Sequence, residues 1–150
     1  MHTEKCSVET KVSKVKVSEK GKQAVFLNPK NETFITTKVD GCLIEASTAC
    51  DWLVTKNNIG SVLVELKGCD VSHALVQVKE SLEKLKKKGM LQPKSAALIV
   101  CKNPPNHPAF NSKLQRIKQE LSKKYRAPLH VISGNYEYEF EKVLLHKSPR

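Results

Sequence analysis

The chain has 150 residues, 39% of them hydrophobic, and 26 Lys and Arg stand against 15 Asp and Glu, giving a formal charge of +11. This length suits a single domain with its own core, and the composition excludes a disordered or fibrous chain. No apolar run is long enough to span a bilayer and the N-terminus is polar, so we expect a cytoplasmic protein that neither crosses a membrane nor is exported.

The basic excess indicates a polyanionic partner, and nucleic acid is the first candidate. The alternative is that the lysines only keep the domain soluble. The five cysteines are odd in number and include no CxxC pair, which favours reduced thiols over a disulfide framework.

The N-terminal segments alternate apolar and polar residues with a period of two, as strands do. They are "KVSKVKV", "QAVFL" and "TFITTKV", separated by the turn-forming "SEKGK" and "NPKNE". We therefore predict one domain over residues 1–150, with a β-meander in 1–39 and an α/β core in 40–150.

The core begins with two apolar segments, "CDWLV" and "SVLVELK", which "TKNNIG" would join as a hairpin. From Asp70 to Lys87 the apolar residues form one helical stripe, and Gly89 can end that helix. "SAALIVC" then reads as a strand covered on both faces, a second helix follows around Phe110–Tyr125, and "LHVIS" is a further strand. The predicted fold class is α/β, a mixed β-sheet flanked by helices, and the tail "NYEYEFEKVLLHKSPR" could be a last strand or a short helix.

Two charged residues interrupt the apolar strand "SVLVELK". Glu65 and Lys67 lie two residues apart and therefore point to the same face. Asp51, in the preceding strand, would lie directly across from Glu65 if the hairpin loop has three or five residues, and on the opposite face if it has two or four. In the first case two adjacent carboxylates would need a cation between them, and oxygen ligands favour Mg²⁺ or Mn²⁺.

Asp51 followed by Glu65-Leu66-Lys67, on a hairpin that leads into an amphipathic helix, resembles the active-site signature of the PD-(D/E)XK nucleases, the restriction-endonuclease-like superfamily. The resemblance covers roughly residues 42–133. It implies that Asp51, Glu65 and the backbone carbonyl of Leu66 bind the metal ion, and that Lys67 is the catalytic lysine. It also implies a polar residue on the following helix that orients substrate or metal, and Gln77 occupies that place.

The sequence departs from the family pattern in two respects. Cys50 stands where the name-giving proline would be, a common variation. An additional acidic ligand on a helix before the first core strand has no counterpart, and Glu45 and Asp40 are candidate replacements. A one-metal mechanism is therefore better supported than a two-metal mechanism.

These features predict a Mg²⁺-dependent endonuclease acting on nucleic acid, with double-stranded or structured DNA as the expected substrate and a homodimer as a candidate assembly. Two alternatives remain: a non-catalytic nucleic-acid-binding or interaction module on the same fold, and a protein that binds an acidic partner protein. Six basic residues on the two helices are candidates for phosphate contacts. They are Lys84, Lys86, Lys87, Lys88, Lys113 and Arg116.

Overall fold

The computed structural model describes residues 5–45, 47–68 and 70–149. Strands are formed by Ser7–Thr10 (β1), Lys14–Glu19 (β2), Lys22–Leu27 (β3), Phe34–Lys38 (β4), Trp52–Lys56 (β5), Gly60–Lys67 (β6), Ser95–Cys101 (β7), Leu129–Ser133 (β8) and Glu137–Glu139 (β9). Helices are formed by Val71–Lys87 (α1), Pro108–Tyr125 (α2) and Phe140–Val143 (α3). The predicted α/β class is confirmed.

Six strands form a mixed sheet in the order β1-β4-β5-β6-β7-β8. In this sheet β1, β4, β5 and β6 pair antiparallel with their neighbours, whereas β6, β7 and β8 are parallel to one another. Parallel neighbours need a crossover connection, and α1 and α2 provide the two crossovers. Both helices therefore begin at the end of the sheet where β6 and β7 end, and each returns to the opposite end, where the next strand begins.

The helices begin and end where the sequence places the signals. Asp70 is the N-cap of α1 and its side chain accepts a hydrogen bond from the backbone N–H of His73. Gly89 has a φ of 69° just beyond the helix, a conformation that glycine adopts without steric cost. The predicted apolar stripe of α1 is buried throughout: Val71, Ala74, Leu75, Val78, Leu82 and Leu85.

Each face of the large sheet has its own core. On one face α1 and α2 pack against residues such as Leu53, Leu63 and Ile99. A second sheet, β2-β3-β9, covers the other face together with α3, through Phe26, Tyr138 and Phe140 among others. The result is three layers with the six-stranded sheet in the middle.

The N-terminal strands are divided between the two sheets and do not form one continuous meander. β1 pairs with β4 at the edge of the large sheet, while β2 and β3 form a hairpin in the small one. Alternation of side chains identifies each strand but not its partner, because pairing depends on contacts distant in sequence. The tail contains both elements that the sequence left open, since β9 pairs parallel to β3 and leads directly into α3.

The expectation of reduced thiols is wrong for one pair of cysteines. Cys6 and Cys42 form a disulfide, with their Cα atoms 5.8 Å apart. The pair is 36 residues apart in sequence, and it meets because β1 pairs with β4, just before the turn that holds Cys42. Cys50 and Cys101 are free and buried, and Cys69 lies outside the described residues. Within the described ranges, no helix is both long and apolar enough to cross a membrane.

Candidate active site

The β5–β6 hairpin brings Asp51 and Glu65 together. Lys56 pairs with Gly60, so Asn57, Asn58 and Ile59 form a three-residue loop, one of the two lengths that favour this arrangement. Trp52 pairs with Val64, and the same register continued by one residue places Asp51 across from Glu65. Asn58, with a φ of 66°, supplies the left-handed residue that such a loop needs.

Backbone amides hold the two carboxylates in place. The Leu66 N–H donates to Asp51 Oδ2 at 2.8 Å, and the Asp51 N–H donates to Glu65 Oε1 at 3.1 Å. One oxygen of each carboxylate therefore accepts a backbone hydrogen bond. Residues of a strand direct N–H and C=O to the same neighbour, so the carbonyl of Leu66 also points to the side where Asp51 lies.

Helix α1 positions the segment that leads into Asp51. Ser81 Oγ accepts a hydrogen bond from the Cys50 N–H at 2.7 Å, and Gln77 Nε2 donates to the Ala49 carbonyl at 3.2 Å. These two bonds attach residues 49–50 to side chains that are one turn apart on α1. Gln77 is therefore a positioning residue as well as part of the wall of the site, and its Oε1 is buried with no hydrogen-bond partner among the described residues.

Lys67 is the cation of the cluster. Its Nζ lies 3.3 Å from Glu65 Oε2, and its side chain is 26% exposed whereas that of Glu65 is 1% exposed. The ammonium group therefore reaches from a buried carboxylate to solvent.

Burial makes the two carboxylates costly to ionise. Desolvation, reinforced by the neighbouring charge of Asp51, raises the pKa of Glu65 from 4.5 to about 7. The pKa of Asp51 is also raised, chiefly by desolvation, although the Leu66 N–H opposes the shift. Such shifts are typical of functional sites, but buried structural pairs show them too.

These groups line one pocket of about 360 Å³ at the C-terminal end of β6. It is bounded by Asp51, Glu65, Leu66, Lys67, Gly68 and Gln77, by Asp40, and by Glu19, Lys20 and Lys22 of the β2–β3 hairpin. The structure thus gathers the candidate ligands Asp51, Glu65 and Leu66 with Lys67 and Gln77. Of the two candidate replacement acids, Asp40 lines the pocket, whereas Glu45 is exposed and is not part of its lining.

The predicted phosphate-contacting lysines lie in two different places. Lys86, Lys87 and Lys88 are exposed at the C-terminal end of α1. This end of the helix lies at the end of the sheet opposite the pocket. Lys84 binds Ser47 Oγ and the Thr48 carbonyl. Lys113 and Arg116 lie in the first half of α2, near the pocket edge, and Lys113 Nζ donates to Ser72 at the start of α1.

The arrangement suits one divalent cation better than two. Asp51, Glu65 and the Leu66 carbonyl offer oxygen ligands of the kind that Mg²⁺ prefers, with room for water and phosphate oxygens. Across the part of the chain that the structure describes, no three His, Cys, Asp or Glu side chains are grouped closely enough to hold a metal ion. Two carboxylates and one carbonyl would leave the remaining coordination positions of such an ion to water.

Comparisons with protein-family models, with curated proteins and with solved structures found no match to the chain. The interpretation of the pocket therefore depends on its own residues and on the resemblance in their spacing.

Proposed function

We propose that the protein is a metal-dependent nuclease that hydrolyses phosphodiester bonds in nucleic acid, with DNA as the expected substrate. The observation that carries the proposal is the pairing of Asp51 with Glu65 beside the Lys67 ammonium in one open pocket. A buried acid pair with raised pKa values lowers stability, and a site that binds a cation gives that arrangement a use.

Asp51, Glu65 and the Leu66 carbonyl would hold the metal ion. When bound, Mg²⁺ or Mn²⁺ would stabilise charge on the scissile phosphate and acidify a coordinated water. The chain's own groups complete the site. Lys67 can donate a hydrogen bond to a phosphate oxygen or orient the attacking water, since its partly exposed side chain lines the pocket. Gln77 Oε1 offers a buried acceptor to a water or to a protonated group in the site.

The test is a cleavage panel of plasmid, linear duplex, single-stranded and branched DNA, and RNA, each with Mg²⁺, Mn²⁺ or EDTA. We expect the wild type to cut at least one DNA substrate only with metal, and Asp51→Asn and Lys67→Ala to lose about 100-fold or more in rate. Glu9→Gln and Lys30→Ala are the matched controls, since both residues are exposed and lie outside the pocket. They should cut at the wild-type rate.

A second readout is independent of activity. Because Mg²⁺ would bind only the folded site, it should raise the melting temperature of the wild type and of the two controls. It should leave that of Asp51→Asn unchanged, because this variant lacks one ligand carboxylate.

The alternative function is a non-catalytic nucleic-acid-binding module, and one observation favours it: within the described ranges no three His, Cys, Asp or Glu side chains are placed to hold a metal ion together. It predicts binding of DNA without cleavage, unchanged in Asp51→Asn and Lys67→Ala. Metal-dependent cutting that both substitutions abolish would exclude this alternative. A protein that neither binds nor cuts any substrate of the panel would contradict both functions.

A further inference from the structure

The tip of the β2–β3 hairpin, residues 19–22, forms part of the wall of the pocket that contains Lys67. Glu19 pairs with Lys22 at the end of the hairpin, so Lys20 and Gly21 form a two-residue turn. Glu19, Lys20 and Lys22 all line the pocket. This contact cannot be predicted from the sequence, because Glu19 of the turn "SEKGK" precedes Asp51 by 32 residues. The packing of the two sheets brings the turn to the site.

The hairpin is fixed to the large sheet immediately before its tip. Trp52 Nε1 donates to the Ser18 carbonyl at 3.0 Å, and Lys38 of β4 forms an ion pair with Glu19. Lys38 Nζ also lies 5.1 Å from the centre of the Trp52 ring, which is cation–π distance. Because Trp52 directly follows Asp51, the tip is attached to the large sheet next to one of the two acids.

The two lysines of the tip have no ion-pair partner among the described residues. Glu19 is paired with Lys38, and Glu65 is paired with Lys67. Lys20 is exposed and Lys22 is half-buried, and neither is in an ion pair with any residue that the structure describes. Asp40 is the remaining acid of the pocket wall. Two lysines without acidic partners thus face the site from the side opposite α1.

The turn itself is built against local preference. Lys20 has a φ of 48° and Gly21 a φ of 82°, so both central residues are left-handed, as in a type I′ turn. Asn-Gly is the favoured pair for that turn, since asparagine tolerates the left-handed conformation better than lysine does. Placing a lysine there costs conformational energy, and binding of an anion would account for that cost.

We propose that the hairpin tip is a clamp for the nucleic-acid backbone, in which Lys20 and Lys22 bind phosphates next to the scissile one. This inference rests on the proposed nuclease function and adds a substrate-binding role that touches neither the metal ligands nor the reacting atoms. The strand would pass between the tip and the first turns of α1, with the scissile phosphate at Asp51, Glu65 and Lys67.

The test compares two double variants that each remove two positive charges. Lys20→Asn/Lys22→Gln changes the tip, and Lys11→Gln/Lys30→Gln changes exposed lysines at the opposite, open end of the same hairpin. Binding of a short fluorescein-labelled DNA duplex and of the matched single strand is measured in EDTA at several salt concentrations. Cleavage kinetics are measured with Mg²⁺ on the same two DNAs.

We expect the tip variant to bind about tenfold more weakly, and the slope of log affinity against log salt to fall by about 2, because two phosphate contacts are lost. KM should rise while kcat changes little, because the lysines act away from the reacting atoms. The variant at the open end should match the wild type in slope and KM. Lys20→Asn should also raise the melting temperature, so weaker binding cannot come from unfolding.

Equal losses in both variants would mean general electrostatic attraction and would overturn the clamp. So would a tip variant that keeps the wild-type KM while Lys67→Ala abolishes cutting, a result that leaves the nuclease function standing. A wild type that neither binds nor cuts any DNA or RNA of the panel would overturn the nuclease function, and the clamp with it.

Discussion

Glu65 is the residue at which the cost of the candidate site is concentrated. Its carboxyl is 1% exposed, and its pKa is raised to about 7 by desolvation and by the nearby Asp51. In the unfolded chain it would titrate near 4.5. Between these two pH values the folded protein holds a proton that the unfolded chain releases. The free energy of unfolding therefore falls as pH rises from about 4.5 to about 7, and the loss is complete above that range.

Glu65→Gln should remove this pH dependence, because the amide stays neutral and its oxygen can still accept from the Asp51 N–H. In metal-free buffer we expect the variant to be more stable than the wild type at pH 8 by up to about 3 kcal/mol, and equally stable near pH 4. Urea unfolding at a series of pH values measures the difference.

Glu9→Gln is the matched control for that series, since Glu9 is exposed. It should follow the wild-type pH profile. A Glu65→Gln variant that is less stable than the wild type at pH 8 would show that the carboxylate is a net stabilising partner of Lys67, and that the buried pair is structural.

At the scale of single elements, α1 stabilises the approach to Asp51 through Ser81. The hydroxyl is fully buried and accepts from the Cys50 N–H, so Ser81→Ala leaves a buried amide without a partner. We expect a loss of about 1–3 kcal/mol in the free energy of unfolding. Because residues 49–50 lead directly into Asp51, Mg²⁺ affinity should fall as well.

Ser112→Ala is the control for this substitution, since Ser112 is an exposed residue of α2. Its free energy of unfolding should change by less than about 0.5 kcal/mol. Calorimetric melting with and without Mg²⁺ reports both quantities. Wild-type stability in Ser81→Ala would contradict the role assigned to the hydroxyl.

Elements that depend on local sequence could be predicted, and so could the site residues that lie on those elements. The apolar stripe of α1, its Asp70 cap and the fully buried strand β7 follow from periodicity and composition. The sequence alone predicts that Asp51 lies across from Glu65 only if the hairpin loop has three or five residues, and the loop has three. The contribution of Lys20 and Lys22 could not be predicted, because it requires the small sheet to fold over the end of the large one.

At the scale of the whole molecule, the positive charge lies at both ends of the strands of the large sheet. Lys86, Lys87 and Lys88 lie at one end, whereas Lys20, Lys22 and Lys67 lie at the other, next to the pocket. The net charge of +11 favours encounter with a polyanion from any direction, whereas the proposed clamp assigns phosphate contacts at the pocket to Lys20 and Lys22. This is why net charge alone indicates a class of partner and not the site that binds it.

The Cys6–Cys42 disulfide connects the edge strand β1 to the turn after β4, two residues beyond Asp40. It closes 36 residues of chain, a segment that contains the whole β2–β3 hairpin. Restricting the unfolded chain by such a loop stabilises the folded state by about 2–4 kcal/mol. We therefore expect Cys6→Ser/Cys42→Ser to unfold at lower urea concentration than the oxidised wild type.

Reduction by dithiothreitol should bring the wild type to the same midpoint as the double variant, while leaving the variant itself unchanged. Cys101→Ser is the control for loss of a thiol that is not in a disulfide. It should still show the shift on reduction, whatever its own stability. If the wild type and the double variant unfold at the same urea concentration in oxidising buffer, pairing of β1 with β4 holds the edge strand without help from the disulfide. In that case the hairpin tip would be positioned by Trp52, by Lys38 and by the packing of the two sheets, without help from the disulfide.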